Sequence, residues 1–196
     1  MEKQYFSCAE TAKLVRQTLK EAFPGVKFSV RSDTYAGGAS IRIGYKDGPA
    51  YNQVKAVVSN FEGSYFDGMT DYKGLNYSSL DGKEVRFGAD FIFVNRTMSQ
   101  PFLTGIVSQV VNKYGLDNEV VITEGEYSGA YIKSIGPNAD SDKRGFCTMD
   151  IQRLINEAAS EYSEVETQPS ATAARVGFLG DDGYGYGAVG RIEVAA

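Results

Sequence analysis

Carboxylates carry most of the chemical capacity of this sequence, because its 196 residues include no histidine. Without imidazole there is no Ser-His-Asp or Cys-His relay, no histidine metal ligand and no ordinary near-neutral general base. Asp67, Asp71, Asp81 and Asp90 surround the middle of the chain. Paired carboxylates can do acid–base work or hold a divalent metal. Asp67-Gly68 and Asp81-Gly82 are also ordinary turn pairs, and only Asp90 falls inside a strand-like run. Asn138, Asp140 and Asp142 begin like a calcium loop, but Lys143 stands where the turn glycine belongs and Met149 where the bidentate glutamate belongs. An exposed polar loop is the expectation there. Cys8 lies in a first helical turn, where the dipole favours a thiolate, yet nothing can pair with it as a base. It reads as a small, half-buried helix residue. Cys8 and Cys147 are too few for a disulfide framework and are expected as reduced thiols. Tyr35-Ala36-Gly37-Gly38 and Gly183-Tyr184-Gly185-Tyr186-Gly187 lack the endings or context of phosphate-binding loops and read as turns. The sequence thus offers no catalytic constellation, no metal site and no cofactor site.

A second set of side chains suits binding. Lys27, Arg31, Arg42 and Lys46 alternate with apolar residues in two consecutive runs, so all four are expected on one outward face of a hairpin, with Tyr35 beside them for stacking. Such a face fits an anionic partner, either a phosphate backbone or an acidic protein patch. It equally fits a solvated sheet face whose charges block edge aggregation. Residues 1–60 carry nine basic and five acidic residues, a balance of +4, and the remainder carries −9, for a net −5. The basic segment can meet an acidic partner, whereas the overall acidity argues against general coating of nucleic acid.

The elements that position these residues follow from periodicity. Ser7-Cys8-Ala9-Glu10 fits a capping box, and Ala12, Val15, Leu19, Ala22 and Phe23 follow helical spacing, which predicts a helix over 8–22. Val26, Phe28 and Val30, then Ile41, Ile43 and Tyr45, alternate with polar residues and predict a half-buried antiparallel pair turning at 33–38. Pro49 opens a second helix whose stripe is Val54, Val57, Val58 and Phe61. Residues 64–83 read as a long loop with a short strand at 69–72, and 84–95 as one central strand. A third helix over 101–114, capped by Ser99 and stopped by Gly115, precedes a second hairpin at 119–124 and 130–135. Thr148 caps a fourth helix with Ile151, Leu154, Ile155, Ala158 and Tyr162 as its stripe. The expected fold class is α+β: two helix–β-hairpin–helix units around a shared, mainly antiparallel sheet, either a true repeat or two hairpins alike by chance. The second copy is acidic, with Glu119, Glu124 and Glu126. Residues 1–95 are expected as one domain, 96–163 as a second unit of the same globular body, and 164–196 as a linker and a Gly/Tyr-rich segment. Low complexity favours a tail for that segment over a terminal hairpin.

The strings Tyr5–Ala12, Ala22–Ser32, Tyr35–Ile41, Phe61-Glu62-Gly63 and Phe66–Met69 are similar to the large polyvalent protein-associated domain numbered twenty-nine, over about residues 5–95. The resemblance implies a protein of a phage or conjugative element, associated with DNA entry and with countering host defence. It implies no catalytic residues. The expected function is a non-enzymatic accessory that binds a host or element-encoded protein, with nucleic-acid binding through the basic hairpin face as the alternative. A carboxylate- or metal-dependent enzyme at Asp67, Asp71 and Asp90 is the third reading. No apolar run approaches the roughly 18 to 20 residues of a membrane span, and no signal region opens the chain, so no membrane partner is expected and the bacterial cytoplasm is the expected location.

Overall fold

The computed structural model of the chain describes residues 4–116, 119–125, 128–136 and 148–184. The loop tip at Glu126-Tyr127, the loop holding Asn138, Asp140, Asp142 and Lys143, Cys147, the capping side chain of Thr148, Gly185–Gly187 and the run 191–194 lie outside the described residues. The class is α+β, as expected, and the described residues divide into two compact units.

The first unit takes residues 1–45, 53–95 and 166–196. It opens with β1 (Gln4–Phe6) and α1 (Cys8–Ala22). The capping box is formed in full: the Ser7 hydroxyl accepts from the Glu10 amide, and the Glu10 carboxylate accepts from the Ser7 amide. That reciprocal pairing satisfies two donors that every helix start otherwise leaves open. α1 buries Ala12, Val15, Leu19 and Ala22. β2 (Ser29–Tyr35) and β3 (Gly38–Lys46) form the expected hairpin, and α2 (Tyr51–Val58) follows, starting two residues after Pro49. Ile41, Ile43 and Tyr45 point inward at 0, 1 and 5% exposure, which confirms the period-two reading.

Residues 64–83, expected as a loop with a short strand at 69–72, are mostly strand: β4 (Ser64–Asp67) runs into β5 (Tyr72–Leu80), and 68–71 is the turn between them. The inward positions of β5 are Gly74, Asn76 and Ser78, so no apolar alternation marks it. Small polar residues there admit the Tyr65 ring, which lies across its cross-strand partner Gly74 and fills the space a Cβ would take.

The expected single strand at 84–95 is two: β6 (Lys83–Phe87) and β7 (Phe91–Thr97). Between them, Gly88-Ala89-Asp90 carries the chain from one sheet to another. The Asp90 amide donates to the Ala39 carbonyl, and the Gly63 amide donates to Ala89. Gly63 approaches so closely that a Cβ would overlap the Phe87 carbonyl. There is consequently no single shared sheet. β1-β6-β5-β10 form one sheet with β4 added on β5, β2-β3-β7 form a second, and the other hairpin stands as a third. β1 pairs with β6 in parallel.

β10 (Val176–Asp181) lies where a linker and tail were expected. It pairs antiparallel with β5, preceded by the short α5 (Ala171–Ala174). Its composition hides it: Gly177 and Gly180 break the apolar run of Val176, Phe178 and Leu179.

The second unit takes residues 46–52 and 96–165. It contains α3 (Gln100–Tyr114), β8 (Val120–Gly125), β9 (Gly129–Ile135) and α4 (Thr148–Glu161). Its core gathers Leu103, Val107, Val110, Leu116, Ala130, Ile151 and Ile155. Ser99 caps α3 and Gly115 ends it at φ 60°, both as read from the sequence.

Candidate functional site

The first hairpin places the candidate basic residues in three different settings. β2 and β3 pair so that Arg31 stands directly opposite Arg42. Both are exposed, and neither makes an ion pair among the described residues. Like charges directly opposite one another destabilise a sheet. Lys27 is exposed too, but it precedes β2 by two residues and lies off the ladder. Lys46, at the end of β3, belongs to the second unit and sits 3.6 Å from Glu124. Its charge is therefore matched, and the expected row of four free cations reduces to a facing arginine pair with Lys27 upstream. Asp33, on the row next to the arginines, faces Ser40.

Tyr35 ends β2 before the two-residue turn Ala36-Gly37, where Gly37 takes φ 87°. Its ring, half exposed at 48%, lies over Gly38: a Cβ there would come 3.0 Å from the ring and 2.5 Å from Asp90 Oδ2.

Asp90 joins three elements. Its Oδ2 accepts from the Ala39 amide at 3.1 Å and the Lys73 ammonium at 3.0 Å, and its Oδ1 from the Ser64 hydroxyl at 2.9 Å. Lys73 also donates to the Gly37 carbonyl at 3.2 Å. Burial opposes ionisation, but the Lys73, Ser64 and Ala39 donors together hold the Asp90 carboxyl below its usual range. The carboxylate thus fixes the hairpin turn against the junction between β6 and β7.

The other aspartates do not converge on it. Buried Asp67 accepts from the Met69 amide at 2.9 Å within its own turn. Asp71 and Asp81 each occupy a turn at φ 52°. Asp81 forms a bidentate pair with Arg175, at 2.9 and 2.6 Å. Among the described residues no three acidic or cysteine side chains gather to hold a metal. Cys8 is buried rather than half-buried; its thiol lies 3.5 Å from the Ser40 carbonyl, and burial pushes its pKa up despite the helix start.

Sequence reasoning passed over several polar side chains that organise the first unit. Glu21 accepts from the Ser170 hydroxyl at 2.6 Å, the Thr172 amide at 2.8 Å and the Thr172 hydroxyl at 3.0 Å, which brings its pKa down to about 2. Asp182 accepts from Tyr65 and Tyr72 hydroxyls at 2.7 and 3.0 Å and from the Leu75 amide at 2.8 Å. The partners of Glu21 and Asp182 are some 100 to 150 residues away in the chain, so no local pattern announces them.

Residues 6–99 match the model of a known family. They are a large polyvalent protein associated domain 29. No curated protein and no solved structure gives a significant match to the chain. The matched residues therefore run from Phe6, the last residue of β1, to the end of β7, including the arginine pair and the whole Asp90 junction, and stop as α3 begins. The strand β10 that completes its sheet lies outside the matched residues.

Proposed function

We propose that this chain is a non-enzymatic binding accessory of a phage or plasmid, and that it docks on a macromolecule through the arginine face of the first hairpin. A role in countering host defence fits this reading. The observation that carries it is the contrast in how charges are used. Asp67, Asp81 and Asp90 are each engaged with a backbone amide or a basic side chain. Arg31 and Arg42 face one another in solvent with no acidic partner among the described residues. A like-charge pair facing across a sheet costs stability that a bound anionic group offsets.

The test is affinity capture from a bacterial host with the full chain, followed by mass spectrometry and nucleic-acid recovery. Arg31→Glu/Arg42→Glu is expected to lose the partner that the unaltered protein retains. If the doubly reversed variant captures the same partner, the arginine face is not the site. Turnover of a nucleotide or nucleic acid that an aspartate substitution abolishes would sink the non-enzymatic reading.

A further inference from the structure

We infer that the anionic partner is a single-stranded nucleic acid, with bases stacked on Tyr5, Tyr35 and Phe66 and phosphates held by Arg31 and Arg42; the inference rests on the arginine-face reading above.

Among its exposed rings, the first unit carries three whose neighbours lead toward Asp90 and Lys73. Tyr5, Tyr35 and Phe66 are 64, 48 and 58% exposed. Each ring lies beside a glycine. The Tyr5 hydroxyl reaches Gly88, 2.6 Å from where a Cβ would stand. Tyr35 covers Gly38 at 3.0 Å, and Phe66 approaches Gly68 at 4.0 Å. A missing Cβ lets a ring lie low against the backbone and turn a face to solvent, the geometry a base needs for stacking. Contacts and chain adjacency link the three. Phe66 is the cross-strand partner of Lys73. Lys73 binds Asp90 and the Gly37 carbonyl in the turn after Tyr35. Gly88, beneath Tyr5, is two residues before Asp90. The platform is rigid because Lys73, Ser64 and Ala39 all fix the same carboxylate.

Charge complementarity selects the occupant. Tyr35 and Arg31 lie on the same face of β2, four residues and so about 13 Å apart. A strand whose bases cover the rings brings its phosphates past Arg31 and Arg42. A duplex hides its base faces and leaves the rings unused, and the carboxylates of an acidic protein patch meet the arginines without stacking on the rings. Asp33 sits between the rings and the arginines and repels a phosphate, so its neutralisation tightens binding. The excess acidity of the chain falls in residues 61–196, and the hairpin that carries the arginines lies in the basic stretch 1–60.

The test is fluorescence anisotropy with the full chain, using oligothymidylate and oligouridylate of about 20 nucleotides and a duplex of equal length, at about 50 and 200 mM salt. The single strands are expected to bind tighter than the duplex. Tyr5→Ala, Tyr35→Ala and Phe66→Ala each lose at least about fivefold, the lower end for one stacked base. Tyr5→Phe and Tyr35→Phe, which keep the ring, retain affinity, and Asp33→Asn gains it. Arg31→Glu/Arg42→Glu flattens the salt dependence. Equal binding by the three alanine variants, or duplex binding as tight as single-strand binding, overturns the inference while leaving the arginine face in place. Absence of oligonucleotide binding also overturns it, and capture of a host protein that the arginine reversal abolishes would then leave the broader reading standing.

Discussion

At the scale of single residues, this fold depends on carboxylates that take several donors at once, and Glu21 is the extreme case. Its bonds to Ser170 and Thr172 hold its pKa at about 2, against roughly 4.3 for an ordinary glutamate. The folded state therefore binds that proton less readily than the unfolded chain. The stabilisation is fully present above the unfolded value and is lost as pH falls from about 5 toward 2. Glu21→Gln should lower stability near neutrality by about 1–2 kcal/mol, a charge-assisted hydrogen-bond scale reduced for partial exposure. Urea midpoints measured from pH 7 down to 2.5 should show the gap between the two proteins closing; a gap that stays constant would remove the carboxylate from the account. Arg96 does comparable work in the second unit. Its guanidinium donates to the carbonyls of Asp47, Gly48, Ala159 and Tyr162 and lies 4.7 Å over the Phe102 ring. A sequence names such residues as charged, but it does not say whether they face water, and that is why Arg31 and Arg96 look alike in the sequence and differ in the fold. Tyr5 and Phe66 were missed for the same reason.

At the scale of elements, legibility followed the hydrophobic pattern. α1, α3 and the first hairpin carry apolar periods or caps and stand where those signals put them, except that β2 begins at Ser29 and leaves Val26 and Phe28 ahead of the ladder. β4, β5 and β10 were missed because they lack apolar alternation: the buried positions are Ser64 and Asp67 in β4, Gly74, Asn76 and Ser78 in β5, and Val176 in β10, and their order comes from side-chain hydrogen bonds and cross-strand pairing. β6 and β7 merged into one expected strand because Gly88-Ala89-Asp90 keeps the alternation while changing the partner strand. The clasp on β10 makes an element-level prediction. Asp182→Asn keeps the shape but weakens the acceptance from the Tyr65 and Tyr72 hydroxyls and the Leu75 amide. Residues 176–182 should then exchange their amide hydrogens faster, with α1 unchanged, since an edge strand opens locally before the core does. Unchanged exchange at β10 would show that backbone pairing with β5 alone secures it.

At the scale of the molecule, the matched domain and the compact unit do not coincide. The chain completes the first unit's sheet with residues that follow the second unit in sequence, and the second unit borrows Lys46–Asn52 from within the matched stretch. Each unit nevertheless has its own buried apolar residues, which predicts separable stability. Ile155 is 1% exposed and packs with Leu103, Val107, Val110, Leu116 and Ile151. Ile155→Ala removes three buried carbons there and should cost about 2–5 kcal/mol. The loss should appear as faster hydrogen exchange across α3, β8, β9 and α4, while α1 and β3 keep their protection. Leu19→Ala, at a site 1% exposed in the first unit, should give the reverse pattern. If either substitution accelerates exchange equally in both units, the two open as one cooperative body. The distinction bears on function, because the arginine pair and all three rings belong to the first unit. A protein whose second unit has been loosened by Ile155→Ala should therefore keep its affinity for the partner of the arginine face, and a parallel loss of binding and second-unit protection would place part of that interface in the second unit.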